Sequence, residues 1–162
     1  MSRTRRIPAP GNFGLAWFFC AVAFALHIWD EAAHDFVDYY NATALALYGH
    51  FSWFPRIDVG FHTWLVIFVL TNLALFGLTP WAFRDVLWLR PLAYAVVFLS
   101  LADGTGHVLV TIRGQTVPSV RLEGVSPGFY TSPLVLFSAT YLLLSLRKSF
   151  GGSKVMKLPA KR

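Results

Sequence analysis

The chain has 162 residues, is 56% hydrophobic and only 14% charged, and has a mean hydropathy of +0.53. A water-soluble domain carries about a quarter charged residues, so this composition argues against a soluble globular fold and for an integral membrane protein. The net charge of +6 comes from basic ends, MSRTRR and RKSFGGSKVMKLPAKR. No basic stripe runs through the body, which speaks against nucleic-acid binding and fits tails held at a charged membrane face.

Crossing a bilayer core takes about 20 apolar helical residues, and four segments qualify. The first covers 12–38. It opens on the uncharged stretch NFGLAWFFCAVAFAL and ends in HIWDEAAHDF. Its lone cysteine, Cys20, leaves no internal disulfide and no cysteine-based zinc site. SRTRR followed by an apolar run and AVA also fits a cleavable signal peptide, but the three later spans require a membrane in any case. His27, Asp30, Glu31 and His34 are spaced i, i+3, i+4, i+7, which is one face of a helix, and Asp38 continues that face.

The connection YYNATALALYGHFSWFPR is aromatic and suits an interfacial segment. Its Asn41-Ala-Thr43 fits a glycosylation sequon that is common by chance. The second span covers 59–80, with His62 near its start and Asn72 inside it. The third covers 86–112. It carries Asp103 and His107 at i, i+4, with Gly104 and Gly106 beside them to allow close helix approach. RGQTVPSVRLEGVSPG has the composition of a short hairpin. The fourth span covers 127–147, with Ser126-Pro127 as its start and Pro133 marking a kink or a delayed start. Asn72 and Thr140 read as interhelical hydrogen-bonding groups. Arg113 and Arg121 read as interface anchors, and Trp53, Trp64, Trp81 and Trp88 as an interfacial belt.

Arg84 and Arg90 sit in the short 2–3 connection, whereas Asp35, Asp38 and Asp58 outnumber Arg56 between spans 1 and 2. The positive-inside rule then places both termini in the cytoplasm. The expectation is an all-α, polytopic membrane four-helix bundle over residues 1–162, in a bacterial inner membrane. Counting depth at about 1.5 Å per residue puts His27, Asp30, Glu31, His34, His62, Asp103 and His107 together in the outer half.

An ionisable side chain near the bilayer centre costs about 3 kcal/mol or more when unpaired, so these residues require partners. A purely structural His–carboxylate network is one reading, and it suffices for Asp35, Asp38, His50 and Asp58. A second is a site for one divalent ion (zinc, iron or manganese) drawn from His27, Asp30, Glu31, His34, His62, Asp103 and His107. Glu31-x-x-His34 has the carboxylate-bundle spacing, although it does not recur. The third is metal-free acid–base catalysis by His27, Glu31, His107 and Asp103 on a lipophilic substrate, of isomerase, cyclase or hydrolase type. A non-catalytic accessory subunit of a larger membrane or pigment complex, or a homo-oligomer, is the alternative from a different class.

The quoted motifs carry a resemblance. HIWDE (His27–Glu31), DGTGH (Asp103–His107) and SPG (Ser126–Gly128) are similar, in order and rough spacing over about 14–145, to the motifs of the HXXEE family of small bacterial integral membrane proteins. That family has no established activity, so the resemblance implies the fold and the motif residues alone. Asp30 stands where the family has Glu, and Asp103 where it has Asn, which adds a negative charge suited to a cation or a protonated His.

Overall fold

The computed structural model describes residues 12–151. The basic end residues 1–11 and 152–162 lie outside the described part. The described chain is all-α apart from one small hairpin. Its order is α1 (Asn12–Ala33), α2 (Phe36–His50), α3 (Phe61–Phe83), α4 (Leu89–Arg113), β1 (Gln115–Val117), β2 (Val120–Arg121) and α5 (Ser132–Gly151). Among these, α1, α3 and α4 are long and apolar enough to cross a membrane, while the apolar part of α5, Ser132–Arg147, is shorter.

The expected first span of 12–38 is cut short. α1 ends at Ala33, Asp35 takes a left-handed conformation (φ 56°), and the chain restarts as α2. Asp is one of the few non-glycine residues that tolerates that region. Asp38 therefore belongs to α2 and does not continue the α1 face. The fourth span also starts later than Ser126-Pro127 suggests. Residues 127–131 form turns, and the helix begins at Ser132 with Pro133 in its first turn, where a missing N–H costs nothing. Pro91 sits likewise in the first turn of α4. The expected hairpin is present as β1–β2, paired antiparallel, after Gly114 closes α4 at φ 65°.

α1 is the central helix. It packs against α3 on one side and α5 on another, and α5 packs against α4. Phe13, Ala16, Trp17, Cys20 and Ala21 of α1 meet Leu75 and Ala82 of α3, Ala93 and Val97 of α4, and Leu142 and Leu146 of α5 in one core. Two buried side chains tie α1 to α3: Trp17 Nε1 donates to the Leu75 carbonyl at 2.8 Å, and Asn72 Nδ2 donates to the Ala21 carbonyl at 2.8 Å. Asn41 clamps α2 to the following loop, donating to the Val59 carbonyl (2.9 Å) and accepting from the Val59 N–H (3.0 Å). The amide of the sequon is thus committed to the fold.

The outward faces are apolar. Val66, Ile67, Leu70 and Leu73 on α3, and Phe98, Leu99, Leu109 and Ile112 on α4, are all exposed. Such a surface would aggregate in water but is the solvated surface of a helix in lipid. The polar groups are inside: His27, Asp30, Glu31, Asn72, His107 and Ser126 are buried.

Candidate metal centre

His27 and Glu31 lie one turn apart on the buried face of α1, and Asp103 and His107 lie one turn apart on α4. The two helices present these pairs to each other. One nitrogen from each histidine and one oxygen from each carboxylate all fall within 4.8 Å of one another. His27 Nε2 is 2.8 Å from Asp103 Oδ2 and 3.7 Å from Glu31 Oε1. His107 Nε2 is 3.2 Å from Glu31 Oε1 and 3.4 Å from Asp103 Oδ1. Ligands about 2.0–2.2 Å from a tetrahedral ion are separated by roughly 3.3 Å, so the four contacts bracket the edges of such a polyhedron.

The other nitrogen of each ring faces outward to a hydroxyl. His27 Nδ1 is 2.8 Å from Thr131 Oγ1, and His107 Nδ1 is 3.2 Å from Ser126 Oγ. The Thr131 hydroxyl proton has two acceptors in reach, Asp30 Oδ2 at 2.9 Å and the Gly128 carbonyl at 3.3 Å. Its oxygen is therefore left to accept from His27 Nδ1–H. Ser126 in turn donates to the Pro127 carbonyl at 3.2 Å and accepts from His107. This network places a proton on Nδ1 in both rings, which leaves Nε2 of each ring as the nitrogen that faces the carboxylates.

His27 Nε2 is fully buried and makes no hydrogen bond. Its 2.8 Å approach to Asp103 is close in distance, but the oxygen lies off the direction in which a ring N–H would point. An unprotonated Nε2 beside a carboxylate is not stabilised by it, and two ionised carboxylates within 4.8 Å of each other repel. At an effective dielectric near 20 that repulsion is about 3–4 kcal/mol. A divalent cation offsets it and brings the group of two neutral imidazoles and two carboxylates to zero net charge. The donor set fits such an ion on these grounds.

The segment before α5 closes the site. Gly128 has φ 80°, and a Cβ placed there would come within 2.8 Å of His27 and 2.9 Å of His107. Only glycine lets the backbone cross both rings in this conformation. The Phe36 ring of α2 lies tilted against His107 with centroids 5.8 Å apart, and the two histidine rings meet edge to face at 5.0 Å.

Three residues expected in the ligand set stand apart from this group. Asp30 turns to the segment before α5 and receives the Thr131 N–H (3.0 Å) and hydroxyl (2.9 Å) on Oδ2. Its Oδ1 lies 2.9 Å from His34 Nδ1. This carboxylate is consumed in positioning Thr131. The His34 side chain is 45% exposed, and its Nδ1 donates to the Asp30 backbone carbonyl at 2.7 Å. His62 is exposed at the start of α3 with its ring against Phe61, outside the group of four. Thr131, Ser126 and Gly128 complete the site. Ser-Pro-Gly is visible as a motif in the sequence, but nothing local marks Thr131 as a partner of His27.

No protein-family model, no curated protein and no solved structure matches this chain.

Proposed function

We propose that this is a bacterial inner-membrane protein in which α1, α3, α4 and α5 cross the bilayer, with both termini cytoplasmic, and that His27, Glu31, Asp103 and His107 hold one divalent ion, zinc, iron or manganese. We further propose that the centre serves an enzyme acting on a lipophilic substrate. The observation that carries the reading is the buried His27 Nε2, which makes no hydrogen bond and lies within 4.8 Å of three other potential ligand atoms. The position of His27, Glu31 and His107 in one group also supports membership of the HXXEE family, whose motifs they occupy. An ion bound there would supply Lewis acidity toward an oxygen of the substrate or an activated water. Asp30 and Thr131 would orient His27, and Ser126 would orient His107.

Elemental analysis of the detergent-purified protein tests this. The expected result is about one ion per chain, lost in Glu31→Gln and His107→Ala. Chelation should lower the melting temperature, and adding the same metal back should restore it. Binding at a hundredfold excess over Kd stabilises by about 2.7 kcal/mol. A folded protein that takes up none of the three metals, and whose melting temperature none of them moves, would sink the metal centre. Metal-free acid–base chemistry by the same four residues would then be the better account.

A further inference from the structure

We infer that the substrate is a single-chain amphiphile with an uncharged oxygen head, such as a fatty or isoprenoid alcohol or its ester. Its chain would lie in a lateral cleft between α3 and α4, and its head in a chamber beneath α2 and the hairpin. This inference rests on the enzymatic reading above and names where and what the centre binds.

The cleft follows from the packing. α3 and α4 are consecutive in the chain, yet α3 packs mainly on α1 and α4 on α5, with little contact between α3 and α4. The gap is lined by Phe24, Ile67, Phe68, Thr71, Leu99 and Ser100, ends on Asp103, and encloses about 360 Å³. At the close packing of protein interiors that space takes roughly a dozen methylene groups. A second apolar cavity, which shares Phe24, Thr71, Leu99 and Ser100 as walls with the first, reaches Leu75 and Leu92. Leu92 and Asp103 are eleven residues apart on α4, roughly 16 Å along the axis, the reach of one medium-length chain. Ile67 and Leu99 at the cleft mouth belong to the exposed apolar face. A chain can therefore move in sideways from lipid without passing through water, and it gains little by doing so, because lipid tails are as apolar as the walls. Selectivity must come from the polar end.

That end has its own space. A chamber of about 220 Å³ on the other side of Asp103 is lined by Tyr39, Tyr40, Thr43, Gly106, His107 and Thr116, among others. Asp103 borders both this chamber and the cleft. Its side chain is 41% exposed, whereas His27, Glu31 and His107 are buried. Asp103 is thus the ligand with room to move aside for a substrate oxygen. Among the described residues, neither cavity is lined by lysine or arginine. The charge of a divalent ion is already balanced there by two carboxylates, so a phosphate head would bring uncompensated negative charge beside them, whereas a hydroxyl, carbonyl or ester oxygen meets no such penalty.

The test uses a long-chain fatty alcohol carrying a mid-chain diazirine, photolysed with the full-length protein in detergent micelles and mapped by peptide mass spectrometry. Saturable labelling is expected at Ile67–Thr71 and at Leu99–Ser100, displaced by unlabelled fatty alcohol and not by phosphatidylglycerol. Ser100→Phe, or Thr71→Phe from the facing helix, should abolish the saturable part while leaving metal content unchanged. Labelling there that is no more saturable than at lipid-facing Phe98, that survives both substitutions, or that phosphatidylglycerol displaces equally well would overturn the assignment. Elemental analysis of the same preparations separates the two ideas: saturable labelling without metal overturns the metal centre and leaves the cleft standing.

Discussion

The chemistry of the site turns on which nitrogen of each histidine carries a proton, and that is decided by two hydroxyls outside the spacing motifs. Asp30 accepts from Thr131, Thr131 accepts from His27, and His27 Nε2 is the nitrogen left facing the group without a hydrogen bond. This is the usual device by which a protein fixes the tautomer and direction of a metal-binding imidazole. Thr131→Val keeps the shape and removes both hydrogen bonds of the hydroxyl. It should weaken metal binding by about 10–100-fold, read by competition against a chromophoric chelator, with helix content unchanged by circular dichroism. An unchanged affinity would mean that His27 is not a ligand. Of the site residues, His27, Glu31, Asp103 and His107 were legible because each pair sits one helical turn apart at matching depth. Asp30 shares the same spacing but leans to the neighbouring turn, and spacing on one helix does not say which neighbour a side chain meets.

At the scale of elements, α1 bears most of the packing, and its contacts with α3 mix apolar burial with two buried donors. Asn72 was legible as an interhelical group, although its acceptor, the backbone of Ala21, was not. Asn72→Ala removes a hydrogen bond in a setting without competing water. It should cost about 1 kcal/mol, seen as a lower melting temperature in detergent. A larger loss would show that Asn72 sets the register of α1 against α3 and does not only fasten it. The break at His34-Asp35 was not visible beforehand, because the amphipathic pattern runs through it. The chain turns there because Asp35 tolerates a left-handed backbone and Val37 of α2 can be buried against Ile28 and Trp64. That turn brings Phe36 over His107 and gives the chamber its roof.

For the whole molecule, the open question of topology rests on α5. Its apolar part, Ser132–Arg147, spans sixteen residues, roughly 24 Å, against a hydrocarbon core of about 30 Å. The turns at 127–131 precede it, and a short helix is accommodated by local thinning of the bilayer. Four crossings put both termini on one side, and three put them on opposite sides. Single cysteines introduced near each end in a Cys20→Ala background should react with an impermeant maleimide from the same face of sealed membrane vesicles. Labelling of the two ends from opposite faces would show that α5 does not cross.

The sequence by itself determined the apolar, membrane-suited composition, the long helices α3 and α4 with the greater part of α1, and the two one-turn pairs of candidate ligands. These follow from composition and from the period of the helix, both local properties. The tertiary structure alone decided that the two pairs face each other and that Gly128 and Thr131 close over them. It also decided that His62 lies outside the group and that α3 and α4 make little contact beside a cleft. Each of these depends on how helices pack in space, on contacts between residues as distant as His27 and Thr131, and no local pattern records that.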